Sequence, residues 1–289
     1  MREAFAGCEQ GVAFAGCEQG ASKVWPATLH SALRHTLLAP GKRLRPRLTL
    51  LIAEGYGAPS PAALDTACVS ELVHAASLIL DDLPCMDDAE LRRNRPTTHL
   101  AFDEATAVLA ATALLNRAFG ILMAIDAPAE TKVELGAMLA HAIGSDGLIA
   151  GQIADLANDN ADTSAFDVQR LNALKTGALF DFCVDAGALL GQASAPDRAQ
   201  LALFSRELGL AFQLMDDLKD QLLSPDAAAK TTHRDDAKQT LVALQGVAPV
   251  RTLVRHHVAA ARAALDAAHL PTAPQIARLL DTYLDALAL

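Results

Sequence analysis

The sequence is poor in aromatic residues and in positive charge. Aromatic residues make up 4% of its 289 positions, which disfavours a site that stabilises cations mainly on aromatic rings. The 24 lysines and arginines are outnumbered by 34 aspartates and glutamates, and the formal net charge is −10. Binding to nucleic acid or to anionic membranes requires a broad basic surface, which this charge disfavours. A polyanionic ligand would have to bind where the few cations are concentrated.

The chain also lacks the signs of secretion, disulfide bonding and membrane insertion. Its five cysteines are odd in number and scattered, without a CxxC pair, which indicates reduced thiols rather than a disulfide framework or a zinc site. No basic region followed by an apolar run opens the sequence. No stretch reaches the ~20 consecutive apolar residues of a membrane span. We therefore expect a cytoplasmic protein without a membrane span.

What the sequence does contain is helical periodicity. Residues 1–21, in which AFAGCEQG occurs twice, are predicted to be a disordered leader, and residues 22–289 a single all-α domain rich in alanine and leucine. No stretch shows the alternation and turn chemistry of a β-hairpin. Apolar residues recur at spacings of three and four, and proline or glycine marks most breaks. The predicted helices are 27–38, 43–56, 60–83, 102–126, 130–159, 164–192, 197–223, 235–245, 250–268 and 272–287.

Two clusters of aspartates follow apolar helical segments. The first comprises Asp81, Asp82, Asp87 and Asp88, near the C-terminus of a helix that Pro84 ends. Carboxylates at this position repel one another and the helix dipole, so a bound divalent cation would stabilise them. Magnesium is the hard cation that carboxylates share with substrate phosphates.

The second cluster comprises Asp216, Asp217 and Asp220, which share one helical face, with Gln213 one turn before Asp217. Either cluster alone would be interpreted as a solvated acidic helix end. Two such clusters favour a diphosphate held by several magnesium ions, which stabilise the negative charge of a leaving group.

Cations lie beside proline–glycine breaks and beside the first acidic cluster. Each alone would be interpreted as an ordinary exposed charge, but together they favour diphosphate binding, for which arginine provides bidentate contacts. They are Lys42, Arg43, Arg45, Arg92, Arg93, Arg95, Lys175 and Lys230.

These motifs follow one another in an order that resembles the trans-isoprenyl diphosphate synthases, which include farnesyl and geranylgeranyl diphosphate synthases. The resemblance covers about residues 27–245. It implies an antiparallel helical bundle around a deep cavity, a homodimer, and magnesium-dependent coupling of an allylic diphosphate with isopentenyl diphosphate. It is carried by the segments Lys42–Pro46, Asp81–Asp87, Leu91–Arg93, Pro96–His99, Gly151–Gln152, Lys175–Leu179 and Phe212–Asp220.

The resemblance also implies roles for single residues. Lys42, Arg45, His74 and Arg93 match positions that bind the diphosphate of isopentenyl diphosphate. Asp81, Asp87 and Asp216 match magnesium ligands, with Asp82, Asp217 and Asp220 beside them. Arg92, Lys175 and Lys230 match contacts to the allylic diphosphate, and Thr176 and Gln213 match groups that line the carbocation.

Product length is predicted from the helix that ends at Asp81. Ala76 and Ser77 lie about one turn before that aspartate, where farnesyl synthases of this family usually have an aromatic floor, so their small side chains favour C20 over C15. Val73 and Leu72 are the next candidates for the floor. An alternative is that Ala76 packs against a neighbouring helix.

The chain departs from the family pattern at several positions, without losing a predicted magnesium ligand. Leu80 replaces a usual histidine, Thr112 a usual aspartate, and Asn172 a usual histidine, and the stretch 230–240 is about two residues short.

Three other functions are considered. A class I terpene cyclase would not need the second group of cations and would be richer in aromatic residues. A non-catalytic subunit of a prenyl synthase would be expected to lose an aspartate cluster. A helical bundle without a ligand would explain none of the ordered motifs.

Overall fold

The computed structural model describes residues 26–156, 173–222 and 240–284. The predicted leader, Asn172 and Lys230 lie outside these ranges. The helices are α1 (Ala27–Leu37), α2 (Leu44–Gly55), α3 (Ser60–Asp81), α4 (Thr98–Ala101), α5 (Glu104–Ala124), α6 (Ala129–Ile143), α7 (Leu148–Leu156), α8 (Ala178–Leu190), α9 (Ala195–Leu222), α10 (Leu241–Gln245), α11 (Val247–Ala267) and α12 (Ala273–Leu284).

The predicted all-α class is confirmed, and α8 lies at the centre of the fold. One face of α8 joins α3, α5 and α6 in a core that includes Val69, Leu122 and Leu135. Its other face joins α2, α9, α11 and α12 through Phe180 and neighbouring apolar side chains. Apolar residues occur on nearly every side of α8. Such a helix is stable only when other elements surround it, which is the position that α8 occupies.

Three predicted features of the chain differ from the structure. The predicted helix 130–159 is interrupted between α6 and α7, where Gly144 and Gly147 weaken helical structure. Pro249 does not break a helix but lies in the first turn of α11, where a missing N–H costs nothing. A short antiparallel ribbon forms from β1 (Leu91–Arg92) and β2 (Arg95–Pro96). Two residues per strand are too few to leave an alternating pattern in the sequence.

The prediction that no segment has the length and apolarity of a membrane span was wrong for two helices. Pro61–Asp81 and Glu104–Ala124 are long and apolar enough, with mean hydropathies of 1.4 and 1.7 over 18 residues. In the first, 61% of the apolar window is buried within the protein, as expected of a core helix, whereas in the second only 39% is buried. Length and composition alone are weak evidence for a membrane span. The low burial of the second window reflects large apolar side chains that are exposed on α5.

Candidate active site

A cavity of about 840 Å³ lies between the helices and receives residues from both predicted acidic segments. Its volume is within the range of small-molecule sites. Its charged lining comes from α3, α9, the ribbon and the loop before α2, and includes Lys42, Asp81, Arg92, Asp216 and Lys219. Its apolar wall comes from α3, α5, α6, α7 and α8, and includes Val73, Leu115, Ile143, Leu148, Ile153 and Leu179.

The first acidic cluster divides into one carboxylate that faces the cavity and one that is buried behind it. Asp81 lines the cavity, and desolvation raises its pKa to about 6, an effect that Lys175 opposes. Asp82 is only 3% exposed and accepts hydrogen bonds from Arg92 Nε and Nη2 at 3.0 and 2.6 Å. Burial raises the pKa of Asp82, and the charge of Arg92 opposes that rise. The aspartate therefore orients Arg92 towards the cavity.

The ribbon positions both arginines that follow the first cluster. Arg93 and Asn94 form its turn with φ of 57° and 60°, the left-handed conformation that a two-residue hairpin requires. Asparagine tolerates this conformation well, and Arg93 occupies it at some steric cost. Arg92 and Arg93 both line the cavity as a result.

Lys175 lies on a π-helical turn, Ala173–Gly177, directly before α8. Its Nζ donates to Asp155 Oδ2 at 2.5 Å, and Asp155 is only 8% exposed. The pKa of Lys175 is raised because Asp155 and Asp81 outweigh the opposing effect of burial, so its charge is retained. A side chain at Gly151 would collide with the backbone of Lys175, so this glycine allows α7 to approach the π turn closely.

Sequence reasoning missed Asp155. A usable signal was present, because Asp155 is the one charged residue in the apolar helix α7, one turn after Gly151. A buried carboxylate in such a helix needs a cationic partner.

The second cluster is connected to the π turn through hydrogen bonds. Thr176 Oγ1 donates to Gln213 Oε1 at 2.5 Å, and Gln213 Nε2 donates to Asp217 Oδ1 at 2.9 Å. Asp216 faces the cavity and accepts a hydrogen bond from Lys219 at 3.3 Å. The side chain of Asp220 lies outside what the structure describes.

The remaining cations and His74 lie close to one another. The guanidinium of Arg45 lies over the adjacent rings of Phe180 and Phe212, 4.4 and 5.7 Å from their centroids, and desolvation lowers its pKa. Desolvation and then the charge of Arg45 hold the pKa of His74 well below 6.5, so its imidazole is neutral. Lys42 lies over the ring of Tyr283, a residue that sequence reasoning did not single out.

The predicted chain-length residues divide into two groups. Ser77 and Val73 line the cavity, whereas Ala76 and Leu72 do not. Val73, Ala76 and Leu72 all belong to the buried core. The alternative that Ala76 is a packing residue therefore agrees with the structure. Of the departures from the family pattern, Leu80 lines the cavity, and Thr112 is exposed and donates to the carbonyl of Val108.

The chemistry of the cavity fits a hard divalent cation. Asp81 and Asp216 bring carboxylate oxygens to the cavity from two helices. Among the described residues, no three histidine, cysteine, aspartate or glutamate side chains form a ready metal site. Magnesium fits such a site because it commonly takes one or two carboxylates and completes its octahedron with phosphate and water oxygens.

Comparison with known proteins agrees with this geometry. Geranylgeranyl diphosphate synthase of Pseudescherichia vulneris is 42% identical over 230 residues, which are 78% of this chain and 74% of that protein. Farnesyl diphosphate synthase of Bacillus subtilis is 37% identical over 229 residues, or 76% and 77% of the two chains. The solved geranyltransferase from Helicobacter pylori, complexed with magnesium and isoprenyl diphosphate, has a TM-score of 0.83 at 30% identity and covers 99% of this chain and 96% of its own. The family model for polyprenyl synthetases matches residues 26–268, and the chain belongs to that family.

Proposed function

We propose that this protein couples an allylic diphosphate with isopentenyl diphosphate in a magnesium-dependent reaction, and that it makes a C15–C20 trans-prenyl diphosphate, with C20 favoured. One observation carries the proposal: a single cavity is lined by two groups of cations and by an apolar wall. Two groups of cations suit two diphosphates, and the apolar wall suits a growing hydrocarbon chain. The similarity to farnesyl and geranylgeranyl diphosphate synthases supports the same product range.

The allylic diphosphate is assigned to the side of the cavity that contains Asp81, Arg92 and Lys175. Asp81, Asp87 and Asp216 would hold magnesium, which would neutralise charge on the departing diphosphate. Asp82 and Asp155 keep Arg92 and Lys175 in place, so these cations need little reorganisation as the leaving group becomes charged. Asp217 and Asp220 lie beside Asp216 in sequence. Lys230, also assigned to this diphosphate, is outside the described residues.

Isopentenyl diphosphate is assigned to Lys42, Arg45, His74 and Arg93. All four line the cavity, and Arg45, Arg93 and Arg92 each lower the pKa of His74, so these groups are close enough to interact. A neutral imidazole can still donate one hydrogen bond to a phosphate oxygen. The arginines supply the charge.

The reaction needs no protein base. The allylic C–O bond breaks and its electrons leave with the diphosphate, which leaves a delocalised carbocation. Thr176 lines the cavity and is hydrogen-bonded to Gln213, and we assign the oxygen dipoles of this pair to the stabilisation of this charge. The alkene of isopentenyl diphosphate then forms the new C–C bond, and the departed diphosphate takes the proton that is lost.

The test is mass spectrometry of the products from dimethylallyl diphosphate, excess isopentenyl diphosphate and magnesium. We expect prenyl diphosphates that end at C20. A cyclase would instead convert one allylic diphosphate to a hydrocarbon without consuming isopentenyl diphosphate. A non-catalytic subunit would show no turnover alone.

Arg45→Ala separates the two diphosphate sites. Because Arg45 is assigned to one pocket, the variant should raise the KM for isopentenyl diphosphate by about 10-fold or more, the scale of a lost charge-assisted hydrogen bond, and change the allylic KM much less. Steady-state kinetics with each substrate varied in turn measures both constants. Equal increases for the two substrates would contradict the assignment.

We further propose that the protein is a homodimer formed through α5. Val108, Leu109 and Met123 are 42%, 63% and 51% exposed on this helix. They lie at spacings that place them along one side of α5, and large apolar side chains exposed on one side of a helix favour an interface there. A second copy of the chain would bury the patch in the same way on both partners.

A further inference from the structure

The C-terminal helix α12 is held firmly against α2, the helix that follows Lys42. Thr272, just before α12, donates to the carbonyl of Leu51 at 2.5 Å. A side chain at Gly55 would collide with Leu270 and Thr272, so this glycine allows the close approach. An ion pair between Arg262 and Asp281 ties α12 to α11 as well.

Tyr283 of α12 reaches from this anchored helix to the cavity. It is 7% exposed, lines the cavity, and makes two different contacts with Lys42. Its hydroxyl donates to the backbone carbonyl of Lys42 at 2.6 Å, and Lys42 Nζ lies 4.8 Å from the centroid of its ring. Desolvation raises the pKa of Tyr283 to about 12, so the hydroxyl remains a donor under ordinary assay conditions.

The ammonium group of Lys42 is stabilised by few other contacts that favour its charge. Its side chain is exposed, and Lys219 and Asp216 of α9 act on it with opposite charges. Desolvation and then Lys219 lower the pKa of Lys42, so neither effect favours its charged form. A lysine also loses rotamer freedom when it is held in one place. An aromatic face beside the ammonium group offsets part of both costs.

We propose that Tyr283 is a positioning residue for isopentenyl diphosphate, and that it acts by holding Lys42 at the cavity through its ring and hydroxyl. The proposal rests on the assignment of Lys42 to that diphosphate. It makes α12 part of the binding site, although the helix carries none of the aspartate or arginine motifs. The competing explanation is that Tyr283 only packs α12 against α2, since it belongs to their shared apolar core.

Two variants of Tyr283 separate its contacts. Tyr283→Phe removes the hydrogen bond and keeps the ring, and should raise the KM for isopentenyl diphosphate about 2- to 10-fold. Tyr283→Leu removes both contacts and should raise it about 5- to 50-fold. The allylic KM and kcat should change less than about twofold, because preorganisation of Lys42 serves only the second diphosphate.

Tyr56→Phe is the matched control. Tyr56 is the other tyrosine of the two in the chain, and its hydroxyl donates to the carbonyl of Ala268 at 2.7 Å, outside the cavity lining. Both variants remove one tyrosine hydroxyl that connects the C-terminal region to the segment around α2. Tyr56→Phe should lower the melting temperature about as much as Tyr283→Phe and leave both KM values unchanged. Similar kinetics in the two variants would overturn the proposal.

A double-mutant cycle with Lys42→Met gives the decisive result. If Tyr283 acts through Lys42, Tyr283→Leu should raise the KM for isopentenyl diphosphate less than about twofold when the ammonium group is already absent. Full additivity would overturn the positioning role and leave the proposed function intact. If Lys42→Met alone leaves that KM unchanged, the assignment of Lys42 is wrong, and the inference drawn from it fails too.

Discussion

At the scale of single residues, the cavity is organised before any ligand binds. Asp82 holds Arg92, and Asp155 holds Lys175, and both cations line the cavity. A charge that is already oriented stabilises a transition state at little further cost. Asp81 lines the cavity itself, and desolvation raises its pKa to about 6 because the net effect of its neighbours does not restore it. A carboxylate in this position would gain most from a bound cation.

The first prediction concerns the two carboxylates at the cavity. Asp81→Ala or Asp216→Ala should lower kcat by about 10²–10³ or more, the scale for losing one preorganised electrostatic group. The fold should survive, because neither side chain belongs to the apolar core. Turnover at saturating magnesium measures the first effect and circular dichroism the second. Near-normal turnover in either variant would contradict the two-cluster mechanism.

His74 should make the protein less stable in acid. Burial holds its pKa well below 6.5, so below pH 6.5 the unfolded chain binds a proton that the folded state does not. His74 therefore has no pH-dependent effect on the free energy of unfolding well above pH 6.5, and it lowers that free energy as the pH falls below 6.5. At pH 5 the loss reaches about 1–2 kcal/mol, since each pH unit is worth at most about 1.4 kcal/mol.

His74→Gln isolates this contribution from those of the other histidines. Urea unfolding at pH 7.5 and pH 5.0 should show that the variant loses about 1–2 kcal/mol less free energy of unfolding than the original protein does. If the two proteins lost stability in parallel, the imidazole would not be held neutral in the folded state.

At the scale of elements, the rotation of α3 determines which side chains reach the cavity. Ser77 and Ala76 are neighbours in sequence, but Ser77 lines the cavity and Ala76 is completely buried in the core with α5 and α8. Successive residues on a helix differ by about 100° in direction, so one faces the cavity while the other faces a neighbouring helix. The two positions should therefore respond differently to the same substitution.

Ser77→Phe should shorten the product by about one isoprene unit and leave the first condensation intact. The ring would block the cavity about 6 Å from Asp81, where burying another five-carbon unit would otherwise gain about 4 kcal/mol. Ala76→Phe is the matched control, which should overpack the core and cost about 1–3 kcal/mol of stability without a selective change in length. Product analysis and thermal unfolding separate the two. Unchanged product length in Ser77→Phe would assign the floor to another part of the apolar wall.

At the scale of the whole molecule, the proposed dimer predicts that a second copy of the chain covers the exposed apolar residues of α5. Leu109→Glu should raise the dissociation constant of the proposed dimer about 100-fold, because burying an unpaired carboxylate costs about 3 kcal/mol. Leu203→Glu on α9, where the leucine is 39% exposed, is a control that should leave the dimer intact. Sedimentation equilibrium measures both. A monomeric original protein would contradict the dimer, and its co-flotation with lipid vesicles would assign the α5 face to a membrane.

The amino-acid sequence by itself determined the helical class and most helix positions, and it predicted Asp81, Arg92 and Asp216, which the structure brings to one cavity. Periodicity, proline and glycine are local signals, and the aspartate clusters and arginine segments are recognisable because each is continuous in the chain. The break predicted at Pro249 was wrong, and the interruption between α6 and α7 was missed, because local propensity is a weak guide to where a helix ends.

Only the tertiary structure decided which distant residues meet. Asp155 and Lys175 are 20 positions apart, and Tyr283 and Lys42 are 241 apart, so no local pattern pairs them. The sequence could not tell Ala76 from Ser77 either, because apolar residues occur around almost the whole circumference of α3 and their periodicity identifies no single buried face. The packing of α3 between α2, α5 and α8 fixes its rotation, and with it the side chains that reach the cavity.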